Sequence, residues 1–166
     1  MTGTVGYIGL GSMGGAMAGL LAESDFDLVV FDLSADAVAS VVGKGARAAD
    51  SGAALAADCE HISICVPDDA AVMEVVTGEH GILESCAPGT SIGVHSTVHP
   101  DTVRDLAALA AERDVALFDA GVAGGAAAAE EGNLSIMVGV PESGLSDTAR
   151  AVLDCCGGAV FEAGPV

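Results

Sequence analysis

Apolar positions along this chain fall into short runs separated by glycines, prolines and acidic residues. Continuous runs rich in Val, Ile and Leu read as strands buried on both faces. Ala-rich stretches with helical spacing read as the elements between them. Residues 5–10 predict a first strand and 12–23 a helix. "DLVVFD" (27–32) predicts a second strand, and Ser34 is a fair N-cap for a helix through Val42. "ARAAD" (46–50) predicts a short third strand, followed by a helix from Ser51. "HISICVP" predicts a fourth strand ended by Pro67, and "DDAAVMEVV" a helix with Asp68 or Asp69 near its start. "GTSIGVHST" predicts a fifth strand, and Pro100 opens the helix "PDTVRDLAALAAERD". "VALFDAGV", "LSIMVGV" and "AVFEA" predict three more strands, with "AAAAEEG" and "SDTARAVLDCC" as the helices between them. Strand and helix alternate almost throughout. The expectation is one α/β domain over residues 1–166, doubly wound, with a mostly parallel sheet and helices on both faces.

Composition sharpens this picture. The chain is 51% hydrophobic but only 3% aromatic, so the core must be built from Ala, Val, Leu and Ile packed closely against glycines. Its formal charge of −19 argues against nucleic acid and against an anionic membrane surface, both of which need clustered Lys and Arg. Five cysteines with no Cys-x-x-Cys pair read as reduced thiols of a cytoplasmic protein. The N-terminal residues do not read as a signal peptide, and no uncharged stretch approaches the length of a membrane span.

Candidate chemistry concentrates in "GYIGLGSMGGAMAGLL". Gly9, Gly11 and Gly14 form G-x-G-x-x-G directly after the first strand. The first glycine permits a tight turn, the second lets a pyrophosphate approach the backbone, and the third lets the helix pack close to the sheet. The helix start then offers free N–H groups to the phosphates, so no cationic side chain is required. Asp32 closes the second strand, where its carboxylate can accept hydrogen bonds from the adenosine ribose and would repel a 2′-phosphate. Together these features predict a Rossmann-type domain that holds NAD(H) in preference to NADP(H).

The residues also resemble the β-hydroxyacid dehydrogenase family, which includes 3-hydroxyisobutyrate dehydrogenase and, more distantly, 6-phosphogluconate dehydrogenase. Met13 and Met17 fit its G-x-G-x-M-G-x-x-M opening, and three later segments match in order. The resemblance implies cofactor contacts from Gly9, Leu10, Gly11, Ser12, Met13, Gly14, Asp32 and Leu33, from Val66 and Pro67 in "ICVPDDAAV", and from Thr97 in "HSTVHP". It places Ser96 beside the substrate and assigns the substrate carboxylate to Ala123, Gly124 and Gly125 in "DAGVAGGAAAAEEGNLSIMVG". Three positions depart from the family. Gly121 replaces its proline, Ala123 replaces its serine, and Val94 stands where an aspartate is common. Ala123 cannot make the serine's hydroxyl contact, so no particular substrate is named. The implied reaction moves a hydride between nicotinamide and a small hydroxy acid or semialdehyde.

That reaction needs a lysine as general acid or base and a helical second domain that usually forms the dimer interface. By the resemblance both lie beyond Val166, so no catalytic residue is assigned within the chain. The single lysine, Lys44, reads as a solvated loop charge beside Gly43 and Gly45. The expectation is a cofactor domain that binds without normal turnover, with an apolar patch near its C-terminal strand and a homodimer as the intact assembly. The alternative is a stand-alone NAD(H)-binding regulatory or partner module. His95 and His99 are four residues apart, but Pro100 puts them on a strand end and a loop, so no metal is expected. Asp119 reads either as an orienter of the substrate loop or, more simply, as a structural aspartate. Asp68 and Asp69 read as charge at a helix start.

Overall fold

The computed structural model describes residues 3–166 of the domain expected over 1–166. Its strands are β1 (Thr4–Ile8), β2 (Asp27–Phe31), β3 (Arg47–Ala48), β4 (His61–Ile64), β5 (Ser91–Val94), β6 (Ala116–Ala123), β7 (Leu134–Val140) and β8 (Gly157–Pro165). The helices are α1 (Ser12–Ala22), α2 (Ala35–Val42), α3 (Gly52–Ala56), α4 (Asp69–Thr77), α5 (Pro100–Ala111), α6 (Gly125–Glu130) and α7 (Asp147–Cys156). A 3₁₀ turn at Ile82–Glu84 has no counterpart in the sequence reading. The strands form one sheet in the order β3-β2-β1-β4-β5-β6-β7-β8. Every pair from β3 to β6 is parallel, β7 runs antiparallel to β6, and β8 returns parallel to β7. The order reverses between β1 and β4, which opens a crevice beyond their C-terminal ends.

Local chemistry sets the helix starts. Ser34, Ser51, Asp68 and Ser146 each accept a backbone N–H from the first turn of the helix they precede. Pro100 opens α5 behind His99, whose ring nitrogen accepts the Asp101 N–H. Two apolar layers flank the sheet. On one face Tyr7, Phe118, Leu134 and Ile136 pack against α1, α6 and α7. On the other Ile62, Ile64, Ile92 and Leu117 pack against α3, α4 and α5. β8 is longer than "AVFEA" suggests, because it starts at Gly157 directly from the end of α7 and pairs along β7 to Pro165. Among the described residues no helix is long and apolar enough to cross a membrane.

Candidate dinucleotide cleft

The crevice is built from the β1–α1 turn. Gly9 takes φ +91°, and an added Cβ there would collide with the Cys65 carbonyl. Its N–H donates to the Phe31 carbonyl at 3.2 Å, which ties the turn to the end of β2. Leu10 N–H donates to Asp32 Oδ2 at 2.6 Å, and Ser34 N–H donates to Asp32 Oδ1 at 2.7 Å. Asp32 therefore braces the glycine turn and the start of α2. Each of its oxygens keeps a further lone pair that can accept from a ligand hydroxyl.

Gly11 caps α1 without a side-chain hydrogen bond. A Cβ on Gly11 would meet nothing within 4 Å, so its open side is the cleft itself. A Cβ on Gly14 would strike the Gly9 carbonyl and come within 3.1 Å of the Cys65 Cβ, so α1 lies hard against the β1 and β4 ends. The three glycines thus divide the work that the spacing predicts: one turns, one leaves room and one packs. The first turn of α1 offers backbone N–H groups to an anion at its N-terminus. These observations fit a dinucleotide pyrophosphate held by main chain.

The cleft has a volume of about 800 Å³. Of the residues expected to touch a cofactor, Gly9, Gly11, Ser12, Met13, Asp32, Leu33, Val66 and Pro67 line it. Leu10 is buried and Gly14 packs beneath the turn, so both support the lining without joining it. Leu33 is 95% exposed and stands at the mouth as an apolar flap. The opposite wall adds Ser51, Gly52, Ala71, Glu74, Val75, His80 and Ile82, none singled out from sequence. Ala71, Glu74 and Val75 share one face of α4 at helical spacing, and that spacing is the signal that could have found them. His80 and Ile82 come from the loop and 3₁₀ turn after α4, where no periodicity points.

Thr97 and Ser96 lie elsewhere. Both line a second cavity of about 390 Å³ with Arg104, Asp119, Gly121 and Val122, among others. The two cavities share no lining residue but meet through one bond: Val66 N–H donates to Ser96 Oγ at 2.9 Å. Ser96 therefore holds the cofactor-side loop in place. Gly124 and Gly125 both have positive φ, +136° and +78°. With Ala123, the last residue of β6, they are exposed and line neither cavity. The Asp119 carboxylate packs against Gly139.

The charges are distributed unevenly. Lys44 pairs with Glu23 at 3.3 Å and lines neither cavity. Arg47 pairs with Asp27, Arg113 with Glu84 and Arg150 with Glu162. Arg104, paired with Asp101, lines the smaller cavity. The large cleft therefore carries the carboxylates of Asp32 and Glu74 and no lysine or arginine. Asp68 caps α4, while Asp69 Oδ1 accepts the Thr102 hydroxyl at 2.6 Å and the His99 N–H at 2.8 Å. Those two bonds hold the Asp69 carboxyl below its ordinary pKa and tie α4 to α5. His99 is exposed at the start of α5, whereas His95 is buried in the sheet.

Comparison with known proteins agrees with this geometry. A probable mitochondrial 3-hydroxyisobutyrate dehydrogenase of Dictyostelium discoideum is 39% identical over 98% of this chain and 50% of its own length. An NAD-dependent L-serine dehydrogenase of Pseudomonas aeruginosa is 37% identical over 97% of this chain and 54% of its own length. The solved structure of Mycobacterium tuberculosis 3-hydroxyisobutyrate dehydrogenase with L-serine superposes with a TM-score of 0.92 at 28% identity, covering 100% of this chain and 56% of that one. The chain thus spans about half the length of the curated relatives it matches. Residues 4–164 match the family described as the NAD binding domain of 6-phosphogluconate dehydrogenase, and the chain belongs to that family.

Proposed function

We propose that this chain holds NAD(H) in preference to NADP(H), as the dinucleotide-binding half of an oxidoreductase acting on a small hydroxy acid or semialdehyde. The carrying observation is the end of β2. Asp32 sits on the cleft wall with its position fixed by two backbone N–H groups, and no lysine or arginine lines that cleft. A 2′-phosphate there would meet a carboxylate and no counter-charge. The α1 start and Gly11 would receive the pyrophosphate, Leu33 would cover the adenosine, and Val66 and Pro67 would flank the cofactor toward its nicotinamide. When bound, the nicotinamide would supply or accept the hydride. Ser96 and Thr97 would stand at the nicotinamide end, with the Ala123–Gly125 segment offering backbone donors to a substrate carboxylate. The relatives' printed names, 3-hydroxyisobutyrate and L-serine dehydrogenases, support this substrate class.

Titration of the purified chain with NADH and NADPH, followed by nicotinamide fluorescence or calorimetry, tests the reading. The expected result is NADH binding tighter by about tenfold or more, equivalent to about 1.4 kcal/mol. Equal or tighter binding of NADPH refutes the preference, and failure of both to bind refutes the site.

A second reading, binding without turnover, is favoured by Lys44. The chain's single lysine is held by Glu23, away from both cavities, so among the described residues no lysine ammonium is placed for proton transfer at either. Measurable dehydrogenase turnover by the 166-residue chain would overturn it.

A further inference from the structure

A line of polar side chains, buried except at half-buried Ser146, crosses β4 and β5 on the α1 and α7 side of the sheet, and the cleft uses none of them. Ser146 Oγ lies 3.1 Å from Ser91 Oγ, and Ser91 Oγ lies 2.9 Å from His61 Nδ1. His61 Nε2 lies 3.2 Å from Ser63 Oγ, and Ser63 Oγ lies 3.1 Å from His95 Nε2. His95 Nδ1 lies 3.0 Å from the Ala120 carbonyl oxygen. Tyr7 stacks on the His95 ring, with centroids 6.2 Å apart, and Phe118 stacks on His61 at 6.1 Å, so both rings are clamped.

The direction of every bond follows from its last acceptor. A carbonyl can only accept, so His95 carries its proton on Nδ1. Burial holds both imidazoles neutral at pH 7, so His95 Nε2 bears a lone pair and must receive the Ser63 hydroxyl proton. Ser63 has then spent its one proton and must accept from His61 Nε2–H. His61 Nδ1 in turn accepts from Ser91, and the Ser91 oxygen is left to accept from Ser146. Ser91 also lies 3.4 Å from the Glu60 carbonyl, a longer and weaker alternative to His61.

The relay ends where the two cavities meet. Ala120 directly precedes Gly121 and Val122 of the second cavity. His95 precedes Ser96, which holds the Val66 N–H. Ser63 lies two residues before Cys65, which packs beneath Gly9 and Gly14. We propose that His95 is a positioning residue. Through the one-way relay Ser146→Ser91→His61→Ser63→His95→Ala120 carbonyl, it fixes the glycine-rich end of β6 against the ends of β4 and β5, and so sets the nicotinamide end of the cleft. The positioning role rests on the dinucleotide reading proposed above, whereas the relay itself does not.

Long-range ¹H–¹⁵N spectra of the ¹⁵N-histidine-labelled full chain without ligand test the relay. The expected result is His95 protonated on Nδ1 and His61 on Nε2. The opposite tautomer, or averaging between tautomers, at either ring overturns it. The positioning role is tested with two substitutions. His95→Asn places an amide nitrogen near the Nδ1 position and keeps the bond to Ala120. His95→Gln places it near Nε2 and loses that bond. NADH Kd is expected to stay within about twofold of wild type for His95→Asn and to rise roughly threefold to tenfold for His95→Gln. A purely structural role would lower the stability of both without splitting their affinities, and equal Kd values in all three proteins overturn the proposal. If His95→Gln does not fold, Ser63→Ala, which deletes one hydroxyl, is expected to raise Kd by the same factor, and an unchanged Kd overturns it. If the wild type binds no NADH, the cofactor reading and the positioning role fall together, while the tautomers still decide the relay.

Discussion

Acid should destabilise this protein through its two buried histidines, and the size of the effect follows from their surroundings. Burial lowers His61 from an ordinary 6.5 to about 3, with added repulsion from His95, and lowers His95 to about 4. Both groups are therefore neutral in the folded state over a range where the unfolded chain takes up protons near 6.5. The sign is fixed by that difference. The stability due to neutral burial is complete above pH 6.5 and erodes as pH falls toward the folded values. Between pH 7 and pH 5 each histidine costs about 2 kcal/mol, so the pair costs about 4 kcal/mol. For a chain of this length that corresponds to a fall in Tm of about 10 °C. Protonation of surface carboxylates also relieves the net charge of −19 over the lower part of this range, and this works in the opposite direction. The clean assay is therefore a comparison: urea unfolding at pH 7, 6 and 5 for wild type and His95→Asn. The variant removes one titrating ring and leaves the surface unchanged, so its loss between pH 7 and pH 5 should be smaller by about 2 kcal/mol. Parallel pH profiles for the two proteins would refute the reasoning.

Other outcomes follow from the cleft and the open part of the sheet. Gly11→Ala places its methyl in the cleft, so the Tm should stay within about 2 °C while NADH affinity drops about tenfold or more, whereas Gly14→Ala meets the Gly9 carbonyl and should cost about 1–3 kcal/mol in denaturant unfolding as well as binding. Ser96→Ala strands the Val66 N–H and should cost about 1–2 kcal/mol, read by the same unfolding curves; an unchanged midpoint would show that water replaces the hydroxyl. Met137 and Phe161, neighbours in register on β7 and β8, are 40% and 55% exposed, so light scattering at high concentration should show self-association that Phe161→Ser reduces.

Much of the fold was legible because most strands contain a compact apolar run and most helices begin at a visible cap, although β3 is only the exposed pair Arg47–Ala48. The alternation of "DLVVFD", Ser34 and Val42 suffices to place β2 and α2, since both depend on residues close in sequence. The reversal of β7 was not legible, because its own pattern is the same in a parallel or antiparallel pairing and only its contacts with β6 decide. The glycine turn and Asp32 come together at the crevice, at the ends of two adjacent strands, but the bracing bonds to Leu10 and Ser34 depend on a side-chain orientation that spacing does not encode. "HISICVP" reads as an ordinary buried strand. His61 and Ser63 become a relay only because β5 and β6 bring Ser91, His95 and Ala120 beside them from some thirty residues or more away. Separation of Ser96 and Thr97 from the Val66 wall is likewise a three-dimensional fact, bridged by a single bond.

The absence of lysine and arginine from the large cleft also bears on how fast a dinucleotide arrives. Here the anionic dinucleotide must approach a body of formal charge −19, and the attraction of backbone amides acts only at contact. Added salt shortens the reach of that repulsion, with a Debye length of about 8 Å at physiological ionic strength. Association should therefore accelerate as ionic strength rises, the reverse of an electrostatically steered encounter, while dissociation, governed by short main-chain contacts, should change little.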